Sequence, residues 1–157
     1  MIPAPLQSNP RMKKTLFTLL LATLTLPLAA AELDWQTDLP KALAKAKAEK
    51  KMVFVNFTGS DWCGWCIKLK KEVFDTKEFA DYAKDNLVLV ELDFPNKKKQ
   101  SEELKKANAA LAKEYKVRGY PTLLVLNGES QELWRQPGYM AGGPKAWIAK
   151  LDEAKKK

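Results

Sequence analysis

Met52-Val53-Phe54-Val55-Asn56-Phe57-Thr58-Gly59-Ser60-Asp61-Trp62-Cys63-Gly64-Trp65-Cys66 is the stretch that decides how this chain is read. The run from Met52 to Phe57 is too short for a typical globular helix and is rich in strand-forming residues, which predicts a central strand. Gly59 and Ser60 release the chain from that strand, and Asp61 lies near the start of the next helix. After Cys66, the residues Ile67, Leu69, Lys70, Val73 and Phe74 predict a helix with one buried side, broken near Asp75-Thr76. Two cysteines separated by two residues at such a junction can close a small disulfide ring with one sulfur at the helix start. They are the only cysteines in 157 residues, so cysteine chemistry confined to this chain uses this pair.

Working outward, Leu87-Val88-Leu89-Val90-Glu91-Leu92-Asp93 restores strand character after an amphipathic segment from Lys77 to Asn86 that uses Phe79, Tyr82 and Ala83. Strand, helix, strand argues for an α/β sheet rather than a helical bundle. On the amino-terminal side, Asp38 caps a helix that accommodates Pro40 early and runs an apolar stripe through Leu39, Leu43 and Ala46. Trp35, in the lead-in segment, is read as packing against the sheet edge. On the carboxyl-terminal side, Asn96 to Ser101 carries Lys97-Lys98-Lys99 and reads as an exposed insertion. A helix over Glu102 to Tyr115 follows, with Leu104, Ala107, Leu111 and Ala112 as its buried face. Pro121 stands immediately before the strand Leu123-Leu124-Val125-Leu126, where it cannot donate a ladder hydrogen bond. Asn127-Gly128 then signals a hairpin into Gln131 to Arg135. Trp147, Ile148 and Leu151 form the apolar face of a last helix.

The start of the chain has another logic. Lys13-Lys14, the apolar Leu16 to Ala22 and the small residues Ala29 and Ala31 describe a secretory signal peptide with cleavage after Ala31. Residues 1–31 are therefore expected to be an N-terminal extension and leader, with Met12 as an alternative start, and residues 32–157 a single domain. An uncleaved membrane anchor is the competing reading; Pro27, the shortness of the apolar stretch and the lack of a basic flank after it argue for cleavage. The chain carries a formal charge of +8. Its lysines are spread through helical patterns among acidic residues, as on solvated helix faces, and no zinc finger, basic zipper or RNA-recognition motif accompanies them, so no nucleic-acid partner is expected.

The cysteine pair by itself has several meanings. A four-cysteine zinc site would need a second pair, and histidine ligands are excluded because the chain has no His. An inert structural bridge is the stronger alternative outside the cytoplasm, yet so small a ring limits the entropy a staple removes from the unfolded chain. Placement at a strand-to-helix junction between Trp62 and Trp65, with Pro121 later in the chain, favours an exchanging dithiol. The two tryptophans are read either as a peptide-docking rim or as a cap on the core and a shield over the disulfide. Asn56, polar within a buried strand, needs partners for its amide, such as backbone groups or a water.

Trp62-Cys63-Gly64-Trp65-Cys66, Val55-Asn56-Phe57 and Arg118-Gly119-Tyr120-Pro121-Thr122-Leu123-Leu124 together resemble the thioredoxin superfamily. The fuller stretch from Phe57 to Cys66 is similar to exported thioredoxin-like proteins and to the soluble C-terminal domain of the transmembrane disulfide reductase family. The resemblance implies an α/β fold, a thioredoxin-like central mixed β-sheet flanked by helices, with an additional N-terminal helix. It implies an exposed attacking Cys63, a buried resolving Cys66 and a cis Pro121 facing them. Tyr120 would lie beside that proline with backbone available to an extended substrate, and Gly138 would sit in a glycine-containing rim loop. Trp62, Gly64 and Trp65 would help position the substrate. The implied activity is thiol-disulfide exchange, most naturally the reduction of protein disulfides in the periplasm or another exported compartment. Its partners would be disulfide-containing proteins and a membrane or exported dithiol electron donor, and no separate cofactor is required. An oxidase or isomerase uses the same pair with different electron flow, and a binding or assembly module would use the fold without exchange. Two residues depart from the family pattern: Trp65 replaces a proline between the cysteines, and Asn56 stands where a buried aspartate assists proton transfer, so that proton needs a water or another group.

Overall fold

The computed structural model describes residues 33–157 and, of the preceding stretch, only Met1; the leader read at residues 1–31 otherwise lies outside the described residues. The elements run β1 (Trp35–Gln36), α1 (Leu39–Glu49), β2 (Met52–Thr58), α2 (Gly64–Leu69), α3 (Lys77–Asn86), β3 (Leu87–Asp93), α4 (Glu102–Glu114), β4 (Thr122–Leu126), β5 (Glu132–Pro137) and α5 (Gly143–Ala154). Between α2 and α3 the helix widens into one π-type turn, Lys70–Phe74. The strands form one sheet in the order β1-β3-β2-β4-β5. β1 and β2 both run parallel to β3, while β4 is antiparallel to β2 and to β5. This is the mixed sheet flanked by helices that the family resemblance implies.

β2 lies in the middle of the sheet, and all seven of its residues are buried. Its alternation divides the core in two. Phe54 faces an aromatic cluster with Phe74, Phe79 and Trp147, and Trp35 closes this cluster at the sheet edge, with ring centroids 5.3 Å from Phe74 and 6.2 Å from Phe54. Val53, Val55 and Phe57 face an aliphatic cluster with Leu39, Ala42 and Ala46 of α1. The Asp38 carboxylate accepts the Lys41 N–H at 3.0 Å and so caps α1. The fully buried stripe of α1 is Leu39, Ala42 and Ala46; Leu43, expected in it, is only half-buried because Ala42 takes the position nearest the sheet.

Two further expectations are corrected. Ile67, assigned to the buried side of its helix, is 49% exposed. The buried side follows Cys66, Leu69 and Val73 at helical spacing, and Ile67 stands about 100° round from Cys66. In α4, Ala107 is exposed and Asn108 is the buried residue. Its Nδ2 donates to the Asp93 carbonyl at 3.0 Å, so α4 is held against the end of β3 by a polar contact that an apolar-periodicity reading passes over.

Candidate active site

The carboxyl end of β2 delivers the chain into a turn in which the Trp62 and Cys63 N–H groups both donate to the Gly59 carbonyl, at 3.3 and 2.9 Å. Cys63 is extended and caps α2: its Sγ accepts the Cys66 N–H at 3.2 Å, and its carbonyl accepts the Ile67 N–H at 3.0 Å. Cys63 and Cys66 are joined as a disulfide, with Cα atoms 5.2 Å apart. The two residues are 7% and 5% exposed. The expectation of an exposed Cys63 over a buried Cys66 therefore does not hold in this oxidised state, because capping α2 turns the Cys63 sulfur inward toward the Cys66 amide.

Three aromatic groups wall one side of the turn. The Trp62 indole lies on Gly59, where a Cβ would come within 2.5 Å of the ring, so glycine is required there by contact. Trp62 Nε1 donates to the Phe94 carbonyl at 2.7 Å. Its ring meets Tyr120 edge-on at 5.9 Å, and Tyr120 in turn stacks on Phe94 at 5.0 Å. Burial pushes the Tyr120 hydroxyl above its usual range, so that group stays neutral. On the other side, Trp65 packs on Tyr139 at 5.2 Å with the Lys68 ammonium over both rings. The Tyr139 hydroxyl donates to Glu72, and that bond, ahead of burial, raises its pKa. Trp62 and Trp65 nevertheless remain 46% and 57% exposed, so both rings present surface beside the disulfide as well as covering what lies beneath.

The Tyr120-Pro121 peptide bond is cis. The Pro121 carbonyl accepts the Gly138 N–H at 2.7 Å, which ties the β5 exit to the proline loop. Gly138 has φ +79°, a backbone region that side chains avoid. A groove of about 330 Å³ runs along this loop, lined by Lys116, Arg118, Tyr120, Pro121, Arg135 and Gly138 among others. Gly64 needs no such explanation: a Cβ there would meet nothing within 4 Å among the described residues.

Asp61, read as a helix-start residue, has another task. Its carboxylate accepts the backbone N–H groups of Asn96, Lys97 and Lys98 at 2.9, 2.7 and 2.9 Å. The Asn96 bond is the largest of the effects that hold this carboxyl below its usual range. Ser60 donates its N–H and its hydroxyl to Asp93. The lysine insertion is thus exposed, as expected, yet fastened to the cysteine turn by the Asp61 carboxylate and by Lys98 Nζ, which donates to Ser60 Oγ at 3.0 Å; only the polar turn composition hinted at this. Asn56 is buried as expected, but its Oδ1 has no hydrogen-bond partner among the described residues. Among those residues, no group of three His, Cys, Asp or Glu side chains is placed to hold a metal ion.

The chain matches the family described as a thioredoxin-like domain over residues 39–155. It belongs to that family. It is 40% identical over 132 residues to the "Disulfide bond reductase DsbH" of Chlamydia pneumoniae, a match covering 84% of this chain and 78% of the relative. A solved structure of a DsbH oxidoreductase superposes with a TM-score of 0.76 at 36% identity, covering 95% of each chain. The "Thiol:disulfide interchange protein DsbD" of Klebsiella pneumoniae subsp. pneumoniae is 30% identical over 105 residues, which is 67% of this chain and only 16% of that larger protein. With its redox-competent pair, this thioredoxin-like chain is a thiol-disulfide oxidoreductase.

Proposed function

We propose that this oxidoreductase works as a reductase of protein disulfides in an exported compartment. The observation that carries the mechanism is Cys63 Sγ at the amino end of α2, accepting the Cys66 N–H. An amide donor and the helix dipole both favour the thiolate over the thiol. In the dithiol form, Cys63 thiolate attacks one sulfur of a substrate disulfide; the other sulfur leaves as thiolate and a mixed disulfide forms. Cys66 then attacks Cys63 Sγ, the second substrate thiolate departs, and two electrons have passed from this chain to the substrate. The Cys63–Cys66 disulfide is returned to the dithiol by an electron-donating dithiol partner, membrane-bound or exported.

The open space over Gly64 and the exposed Trp62 and Trp65 rings support docking of a peptide beside the sulfurs. The groove along Pro121 and Gly138, which Tyr120 also lines just before the ladder that begins at Thr122, supports pairing of the Tyr120 backbone with an extended segment. The direction of electron flow follows the relative named a disulfide bond reductase. The exported location rests on the leader pattern at residues 1–31; among the described residues no helix is long and apolar enough to cross a membrane. The domain comprises residues 32–157.

The deciding experiment is the equilibrium redox potential of the purified domain in glutathione or dithiothreitol buffers. A value well below about −200 mV agrees with a reductase, and one near about −120 mV overturns it in favour of an oxidase. Cys63→Ser should abolish turnover, and normal exchange in that variant would remove Cys63 from the assigned role.

A further inference from the structure

The floor beneath α2 contains two polar side chains that the exchange scheme leaves unused. Asn56 of β2 and Glu91 of β3 are direct partners in the parallel register, and Leu123 of β4 continues the row. Paired residues share a face of the sheet, so Asn56 and Glu91 lie on the face of Phe54 and Leu89, the one covered by Leu69, Val73 and Phe74. Cys66 and Leu69 are the buried residues of α2, three apart and therefore on the same side of that helix. Asn56 is 4% exposed and its Oδ1 is unpartnered among the described residues. Glu91 is partly buried. The charged groups that act on it are Asp93 on its own strand, Lys98 in the following loop and Lys70 in the π-type turn.

We propose that Glu91 accepts the proton that the Cys66 thiol releases when it resolves the mixed disulfide, with Asn56 as the positioning residue between them. The inference rests on the roles proposed above for Cys63 and Cys66. In the dithiol state the Cys66 S–H supplies the donor that Asn56 Oδ1 lacks in the disulfide state. On resolution the proton passes to the Glu91 carboxylate, directly or over a water held by Asn56. The Cys66 sulfur bonds to Cys63 Sγ, the bond from Cys63 to the substrate sulfur breaks, and its electron pair leaves on the substrate thiolate. Burial, the largest effect on Glu91, and then Asp93 raise its pKa, which makes it a stronger base than a free carboxylate.

Stopped-flow reaction of the reduced protein with dithiobis(nitrobenzoate) tests this, because each step releases one coloured thiolate. The first phase reports attack by Cys63 and the second reports resolution by Cys66, so failure of the cysteine assignment appears in the first phase and failure of the present inference in the second. The parent's second phase should slow as the pH falls through the Glu91 pKa. Glu91→Gln should slow this phase about tenfold or more at neutral pH, remove that inflection and leave the first phase intact. The double variant Glu91→Gln with Asn56→Asp, which moves the carboxyl one strand over, should restore both rate and inflection. An unchanged second phase in Glu91→Gln, or a uniform slowing that keeps the inflection, overturns the proposal. Failure of the double variant to restore the phase overturns the shared service of Asn56 and Glu91 to one thiol.

Discussion

Two carboxylates belonging to the rim and the floor of the cysteine turn sit in opposite surroundings. At the rim, Asp61 takes three backbone N–H bonds, led by that of Asn96, and its carboxyl titrates below the usual range. On the floor, Glu91 is pushed upward, first by burial and then by Asp93. Linkage gives these shifts opposite consequences: ionised Asp61 stabilises the folded state, whereas ionised Glu91 costs stability. Asp61 thus holds the loop that backs Trp62, while Glu91 is the kind of partly buried, perturbed group that serves proton transfer better than packing.

The contrast can be broken most forcefully by removing the floor itself. Phe54 is fully buried and its ring meets Trp35, Phe74, Phe79 and Trp147. Phe54→Ala should cost about 3–5 kcal/mol in a guanidinium titration. A loss below about 1 kcal/mol would mean that the aromatic cluster does not support the central strand.

Asp61→Asn should give a smaller loss and a defined pH dependence. The stabilisation from Asp61 is complete above the ordinary carboxylate pKa of about 4 and is lost as pH falls through the lower folded value. Parent and variant should therefore differ at pH 7 and converge in strong acid. Glu91→Gln should behave with the opposite sign. The folded pKa of Glu91 is raised, so its stability is full below the unfolded value of about 4.3 and declines as pH rises through the folded one. This variant should be more stable than the parent at pH 7 and equal to it in acid. Denaturation curves of both variants at the two pH values settle the matter: shifts of the same sign would end the distinction between rim and floor.

The smallest effect is expected at the outermost ring. Trp65→Ala should raise KM for a protein disulfide about fivefold, the equivalent of roughly 1 kcal/mol, with kcat little changed. A fall in kcat at constant KM would instead place Trp65 in the exchange step.

Local chemistry made much of this readable. The buried run ending at Phe57 required a central strand, Asp38 announced a helix cap that the structure places 3.0 Å from its donor, and Asn127-Gly128 announced a hairpin. Each depends on residues close together in the chain, where spacing alone carries the signal. Ile67 and Ala107, both exposed, escape a local reading for the complementary reason. Which side of a short helix is covered depends on the elements that pack against it, here the end of β3 that Asn108 reaches.

The sequence by itself determined the cysteine pair and its position between a strand and a helix, because those features are local in spacing and residue type; the pairing of Pro121 with them was implied by the family resemblance. Only the tertiary structure decided that Cys63 turns inward to cap α2, that Asp61 clasps a loop 35 residues further along, and that Asn56 lies beside Glu91 on the floor. These depend on strand order and register, which bring residues distant in the chain to one face, and with them the burial that sets each group's charge.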